Sequence, residues 1–341
     1  MTGLIIAIVA VLAILVVLQV MKVSSISSDL QDGKDNEVSS KDNDTQGTLM
    51  LLFGIGFMVA FVWMLIAWGD LLLPRSASEH GVDYDNLMSI SMWMIIVVFV
   101  LVNPVLFYFA FKYRGLKGTK ATYYEHNNKL ELIWTTVPAV VLAVLIIYGL
   151  TTWSNITNPD NTDNEPMIVE LYAQQFNWTA RYSGEDNTLG YANVALIEGA
   201  NFLGVDMNDE RSKDDFIVKE LYLPKGKPVK FRFRSQDIIH SAYMPHFRAQ
   251  MNCVPGMITE FQFTPIVTTT EMRSDKHVMK QVKDVNDIRL IKGKDVWEFD
   301  YILLCNKICG SAHYNMQMPI KVVEQAEYDK WVASQKQLAQ N

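Results

Sequence analysis

Residues 132–159, LIWTTVPAVVLAVLIIYGLTTWSNITNP, carry no charge, and residues 176–182, FNWTARY, alternate apolar and polar side chains; the change between them decides the fold. At about 1.5 Å of rise per residue, a helix of about 20 apolar residues crosses the hydrocarbon core of a bilayer, which the first stretch can do. Period-two alternation instead marks a strand with one face buried. Three further charge-free stretches lie upstream, at residues 1–21, 48–69 and 86–111, and nothing comparable lies downstream. One such run could be a buried core helix. Four in the first half predict a domain of four membrane helices with a water-facing domain behind it.

The 341 residues are 50% apolar and hold 30 Lys and Arg against 37 Asp and Glu, a net charge of -7. That balance excludes intrinsic disorder and argues against a nucleic-acid partner, since neither half of the chain is basic. Charge does orient the helices. Between the third and fourth stretches stand Lys112, Arg114, Lys117, Lys120 and Lys129 against Glu125 alone, whereas the loop at 74–85 sets Arg75 against Glu79, Asp83 and Asp85. The positive-inside rule puts the first of these loops in the cytoplasm, so the domain after the fourth span faces outward, and the acidic loop at 29–44 is cytoplasmic. The first stretch lacks a positive leader and a small-residue cleavage site, which predicts a retained helix rather than a cleaved signal peptide. The expected layout is a first helix and acidic loop over 1–47, three more spans over 48–157, an outer domain over 158–324 and a closing helix over 325–341.

In the outer domain, strands are expected at 167–172, 176–182, 216–223, 229–234, 258–263, 296–304 and 319–323, separated by turns such as Pro224-Lys225-Gly226-Lys227-Pro228. Short strands with no helical repeat between them imply an antiparallel sandwich or barrel. Residues 201–215 and 268–294, polar and mixed in charge, are expected to be surface loops. His246 and His277 are expected at the surface, and Cys253 as a buried thiol.

The chemistry concentrates in Cys305-Asn306-Lys307-Ile308-Cys309-Gly310-Ser311-Ala312-His313-Tyr314-Asn315-Met316, with His240 following a predicted strand. Two thiolates, two imidazoles and a thioether suit copper. Three other readings stay open: a Cys305–Cys309 disulfide, a helix face shared by Cys305, Cys309 and His313, and structural zinc, which has no need of Met316. A mononuclear blue-copper site would use one cysteine. The second cysteine therefore points to two coppers bridged by two sulfurs.

Asp237-Ile238-Ile239-His240-Ser241, Pro255-Gly256, the Cys305 to Met316 motif and Glu131-Leu132-Ile133-Trp134-Thr135-Thr136-Val137-Pro138-Ala139 together resemble subunit II of cytochrome c oxidase, over roughly residue 88 to the C-terminus. The first two spans are additions to the usual two. The resemblance implies a Greek-key cupredoxin domain with a dinuclear copper centre, taking electrons from a cytochrome c and passing them to haem in subunit I, where further copper sits and oxygen is reduced as protons are pumped. It makes Cys305 and Cys309 the bridging ligands, His240 and His313 one ligand each, and Met316 and the backbone carbonyl of Lys307 the remaining two. It also places Glu131 at the mouth of a proton path into subunit I, against a simpler role as an interfacial anchor, and Phe176 and Trp178 where the electron arrives, against plain core packing. Asp237 would serve in docking or in support of a ligand, against a simpler role capping the turn before His240.

The chain departs from the family's pattern at three of these places. Phe176 replaces a tryptophan, Asn252 an acid used in docking, and Lys307 a glutamate whose carboxylate reaches magnesium. A lysine ammonium has no lone pair with which to do so. The expected partners are the other oxidase subunits and a cytochrome c that is membrane-tethered or held in a supercomplex, and the expected location is a bacterial inner membrane with the copper domain in the periplasm. Two rival readings are a metal-free cupredoxin subunit of a quinol oxidase and a copper assembly protein.

Overall fold

The computed structural model describes residues 2–31, 39–158 and 165–340; parts of the acidic loop at 29–44 and of the segment leading into the outer domain fall outside them. Four long helices come first: α1 (Thr2–Gln31), α2 (Ser40–Trp68), α3 (Glu79–Lys112) and α4 (Asn128–Thr157). Each holds a stretch long and apolar enough to cross a membrane, at Ile8–Ser27, Ser40–Leu71, Glu79–Lys112 and Asn128–Thr157. Most of the described apolar side chains on these helices are exposed, as a lipid solvent requires. Pro104 and Pro138 sit inside α3 and α4, a position tolerated far better in membrane helices than in soluble ones.

The chain forms two compact units, one comprising residues up to Gly69 with Ile96–Asn127, the other Asp70–Ile95 with everything from Asn128 onward. In the first, the Ser39 hydroxyl accepts the Asp42 N–H at the start of α2. Gly54 lies against the ring of Phe107, so close that any Cβ would collide with it. Ion pairs Lys22–Asp42 (3.1 Å) and Arg114–Asp44 (2.7 Å) tie the helix ends together.

The second unit is dominated by a sandwich of two five-stranded sheets. Its strands are β1 (Met167–Gln174), β2 (Asn177–Tyr182), β3 (Phe216–Val218), β4 (Leu221–Pro224), β5 (Val229–Ser235), β6 (His240–Met244), β7 (Ala249–Cys253), β8 (Thr259–Phe263), β9 (Tyr301–Cys305) and β10 (Gln317–Val323). The sheet orders are β3-β2-β1-β5-β8 and β4-β10-β9-β6-β7. Inward-facing Trp178, Leu171, Phe231, Phe233, Phe247 and Leu303 fill the space between them and are almost wholly buried. This is the cupredoxin-like Greek-key architecture expected of the outer domain.

Several local expectations are corrected. The sandwich is not all antiparallel, because β1 runs parallel to β5 and β10 parallel to β4. Parallel neighbours need a crossover rather than a tight turn, and pairing distant in sequence leaves no local signal. The run at 216–223 is two strands, β3 bonded to β2 in one sheet and β4 to β10 in the other, as the chain changes layer between them. Residues 268–294 are not a loop but two helices, α5 (Thr269–Arg273) and α6 (Lys276–Ile291). Thr268 and Glu271 form a capping box on the first, Asp275 caps the second, and Val278, Val282 and Val285 recur at helical spacing under a polar majority. A last helix, α7 (Gln325–Ala333), closes the domain through Tyr328 and Trp331.

His246 is not at the surface. Its ring packs edge-on against Phe299 and Tyr301, and burial, then Arg248, pushes its pKa down to about 4. His277 is exposed and Cys253 fully buried, as expected.

The segment expected as the loop 201–215 ends in a buried group, Asp215. Arg181 bridges Glu170 and Asp215 at 3.0 Å each, and Arg234 reaches Glu170 at 3.1 Å. Burial raises Asp215 to about 7 against the pull of Arg181. An unfolded aspartate ionises near 3.9. The folded protein therefore holds its proton longer, and stability present below about pH 4 declines as pH rises to about 7, then levels off. We expect the thermal midpoint to fall over that range. Asp215→Asn should flatten the slope in a pH series of melts.

Candidate metal centre

The ladder brings the metal-binding residue types together. His240 opens β6 and faces Cys253 across to β7, while Ala242, two residues on and pointing to the same side, faces Cys305 at the end of β9. The loop from Asn306 to Met316 is closed by backbone bonds from Cys305 N–H to Met316 O (3.1 Å) and from Asn306 N–H to Ser241 O (2.9 Å). His313 rides on a short 3-10 turn, His313–Asn315. Cys305, Cys309 and His313 therefore do not share a helix face.

Cys305 Sγ and Cys309 Sγ lie 3.9 Å apart, and both cysteines are free thiols. Each sulfur has its own histidine: His240 Nδ1 is 3.8 Å from Cys305 Sγ, and His313 Nδ1 is 3.4 Å from Cys309 Sγ. Each also has a weaker donor, the Lys307 carbonyl 3.2 Å from Cys305 Sγ and the Met316 thioether 3.8 Å from Cys309 Sγ. Two donors bound at about 2.0–2.3 Å to one tetrahedral ion stand about 3.3–3.8 Å apart, so these spacings suit shared metal ligation. Six donors exceed what one structural zinc takes. Their softness and pairwise order fit two copper ions. Burial, then the neighbouring Cys305, pushes the Cys309 thiol up to about 11, and binding a cation would release such protons.

His240 is held by Asp237, whose Oδ1 lies 2.8 Å from Nε2, leaving Nδ1 directed at the sulfurs. Burial raises the Asp237 carboxyl, but hydrogen bonds from His240 and from the Gln175 and Ile238 N–H groups outweigh it and leave the pKa below the usual range. Asp237 thus fixes the orientation of the His240 ring. Carboxylates in this position typically contribute 10–100-fold to metal affinity. Asp237→Ala should weaken copper binding by about that factor in a chelator competition, with the fold unchanged.

Gln175 is a contributor that sequence reading missed. Its N–H reaches Asp237 Oδ2 at 2.7 Å and its side chain donates to the Cys309 carbonyl at 2.5 Å. Only its place beside the FNW stretch could have hinted at this. Phe176 is half-buried and its ring stands 2.8 Å from where a Cβ on Gly310 would be, so that position, with φ +138, needs glycine. Trp178 is 1% exposed, donates from Nε1 to the Met316 carbonyl (3.4 Å) and lies 6.3 Å from the His240 ring. Glu131 is elsewhere, in the first turn of α4, where a carboxylate suits the positive end of the helix dipole.

Comparison with known proteins gives the same direction. The model of the cytochrome c oxidase subunit II transmembrane domain matches residues 66–152. An alternative cytochrome c oxidase subunit 2 from Bradyrhizobium diazoefficiens is 31% identical over 291 residues, covering 82% of this chain and 93% of its own. A cytochrome c oxidase subunit 2 from Synechocystis is 23% identical over 303 residues, covering 84% and 82%. A crystal structure of the periplasmic domain of subunit II of cytochrome oxidase from Bradyrhizobium japonicum aligns with 49% of this chain and 91% of its own at 20% identity and a TM-score of 0.30, too loose an overlap to add detail. With four apolar helices, the outer sandwich and a relative this similar along nearly its whole length, the chain belongs to the cytochrome c oxidase subunit II family of haem-copper oxidases.

Proposed function

We propose that this chain is the electron-receiving subunit of a respiratory terminal oxidase, taking electrons from a cytochrome c and handing them to haem in subunit I, where oxygen is reduced. The observation that carries the reading is the doubled donor set, two sulfurs each with its own imidazole and its own weaker donor. Two copper ions held there would supply one-electron storage shared across both. The protein's part is to hold the donors still. His240 is locked by Asp237, Cys309 by the Gln175 amide on its carbonyl, and Met316 by the Trp178 indole on its carbonyl. A site that rearranges little between charge states moves electrons quickly. Phe176 is the better placed of the two aromatics to face a donor, since Trp178 is sealed in the core.

Glu131 would admit protons to subunit I from the cytoplasmic side of a bacterial inner membrane, and the sandwich would lie in the periplasm. Lys307, exposed beside the sulfurs, offers its carbonyl to the site and its ammonium to acidic groups of a neighbouring subunit, in place of a magnesium ligand. A cytochrome held in a supercomplex suits the loss of an acid at Asn252. A metal-free subunit has no use for six converged donors, and a copper assembly protein has no use for Glu131 or the long membrane half. Copper analysis of the full chain purified from membranes tests the proposal: two ions per chain are expected, and none would return the metal-free reading.

A further inference from the structure

The outer loop before α3 is stitched into the sandwich. Ala77 N–H donates to His246 O (2.7 Å), Glu79 N–H to Thr264 O (3.0 Å), Ile266 N–H to Ala77 O (2.8 Å), and the Ser78 hydroxyl to Phe247 O (2.7 Å). Ala77 and Ser78 are fully buried. Gly81, in the first turn of α3, permits this approach, since a Cβ there would collide with the Ser76 and Ser78 hydroxyls.

Beside the stitch stands Arg248, at the turn between β6 and β7. Its Nε and Nη2 grip Asp85 of α3 at 2.7 and 2.8 Å, Nη1 donates to Pro245 O at 2.7 Å, and Nη2 also donates to Pro74 O at 2.6 Å. The guanidinium is nearly buried, at 5% exposed. Arg248 also has a left-handed backbone, φ 51, which disfavours a non-glycine residue and persists only where the surroundings enforce it. An apolar pair of similar volume could stabilise such a site as well. What a two-pronged Arg–carboxylate grip adds is direction.

The hairpin that carries Arg248 also carries the metal site. Met244 pairs with Ala249 at its turn, and His240 pairs with Cys253 at its other end. Four residues of strand separate the two ends, about 14 Å, so a tilt of about 10° at the turn would move His240 by about 2 Å. We propose that the Asp85–Arg248 pair, with the stitch at 76–79, is a clamp that fixes the β6–β7 arm to the outer end of α3 and so holds the metal ligands at a set distance from the electron acceptor in the membrane partner. The proposal rests on reading the site as an electron relay. Asp85 and Arg248 act as positioning residues; neither touches the donor set.

The test uses the assembled oxidase with Asp85→Asn and Asp85→Ala, and Asp85→Glu as the conservative rescue. Three things are measured: copper content and spectrum, the separate rates of electron arrival from the donor and of onward transfer to haem, and hydrogen exchange at the Ala77 and Glu79 amides. We expect copper and arrival rate unchanged, onward transfer slowed about tenfold, since electron transfer falls off roughly exponentially with distance and the tilt moves His240 by about 2 Å, and faster exchange at both amides. Asp85→Glu should recover most of the onward rate. Faster exchange with an unchanged onward rate would overturn the positioning role, as would a parallel loss of copper and both rates, which is the mark of plain destabilisation. Lack of copper in the unmodified oxidase would overturn the relay reading and this role with it, whereas the first two results leave the relay reading intact.

Discussion

Cys309→Ser is expected to abolish the two-copper site, leaving at most one weakly bound ion per chain. A serine hydroxyl is neither soft nor ionised at neutral pH, so it cannot take the place of a bridging thiolate. The position is central: Cys309 stands within 3.9 Å of Cys305, the His313 imidazole and the Met316 thioether, and it is 1% exposed. Loss of one sulfur therefore disconnects donors on both sides. The fold should survive, because serine is no larger than cysteine and the loop's backbone bonds do not involve the sulfur. Metal analysis beside a melting curve checks both halves. Oxygen consumption with cytochrome c as donor should drop to background, and a variant that keeps two coppers and its spectrum would show that Cys309 is not a bridge.

Glu131→Gln is expected to lower turnover by about tenfold or more while leaving copper content unchanged. Glutamine matches glutamate in shape but cannot carry a proton, and Glu131 lies at the far end of α4 from the outer sandwich. A helix of 30 residues is about 45 Å long, so no direct effect on the donor set is expected. The loss should therefore fall on steps that consume protons, and reduction of the copper subunit by its donor should keep its rate. Steady-state oxygen consumption set beside single-turnover reduction separates these. Equal turnover in the variant and the natural chain would leave Glu131 as an interfacial anchor.

What could be read from the sequence follows from how local each signal is. The four spans declare themselves by the absence of charge over 20 residues or more, a property that needs no knowledge of the fold. The C-x-x-x-C-x-x-x-H-x-x-M spacing likewise names most of the donors within one loop. Pairing between distant residues was not legible in the same way. That Cys305 takes His240, 65 residues away, depends on the β6–β9 register, and the parallel pairing of β1 with β5 joins residues about 60 apart. Helix α6 was missed because its three valines are outnumbered by charged residues, and an amphipathic surface helix of that composition reads as a loop unless its caps are noticed. Gln175 and the Asp85–Arg248 clamp carry no motif at all. Their meaning comes from partners 62, 134 and 163 residues away.

At the centre of the proposed relay, two sulfurs hold two copper ions that share an electron. Electron paramagnetic resonance of the copper-loaded, partly reduced chain addresses this directly. One unpaired electron coupled equally to two copper nuclei, with the matching near-infrared band, is the predicted result. A spectrum from a single copper nucleus would contradict it.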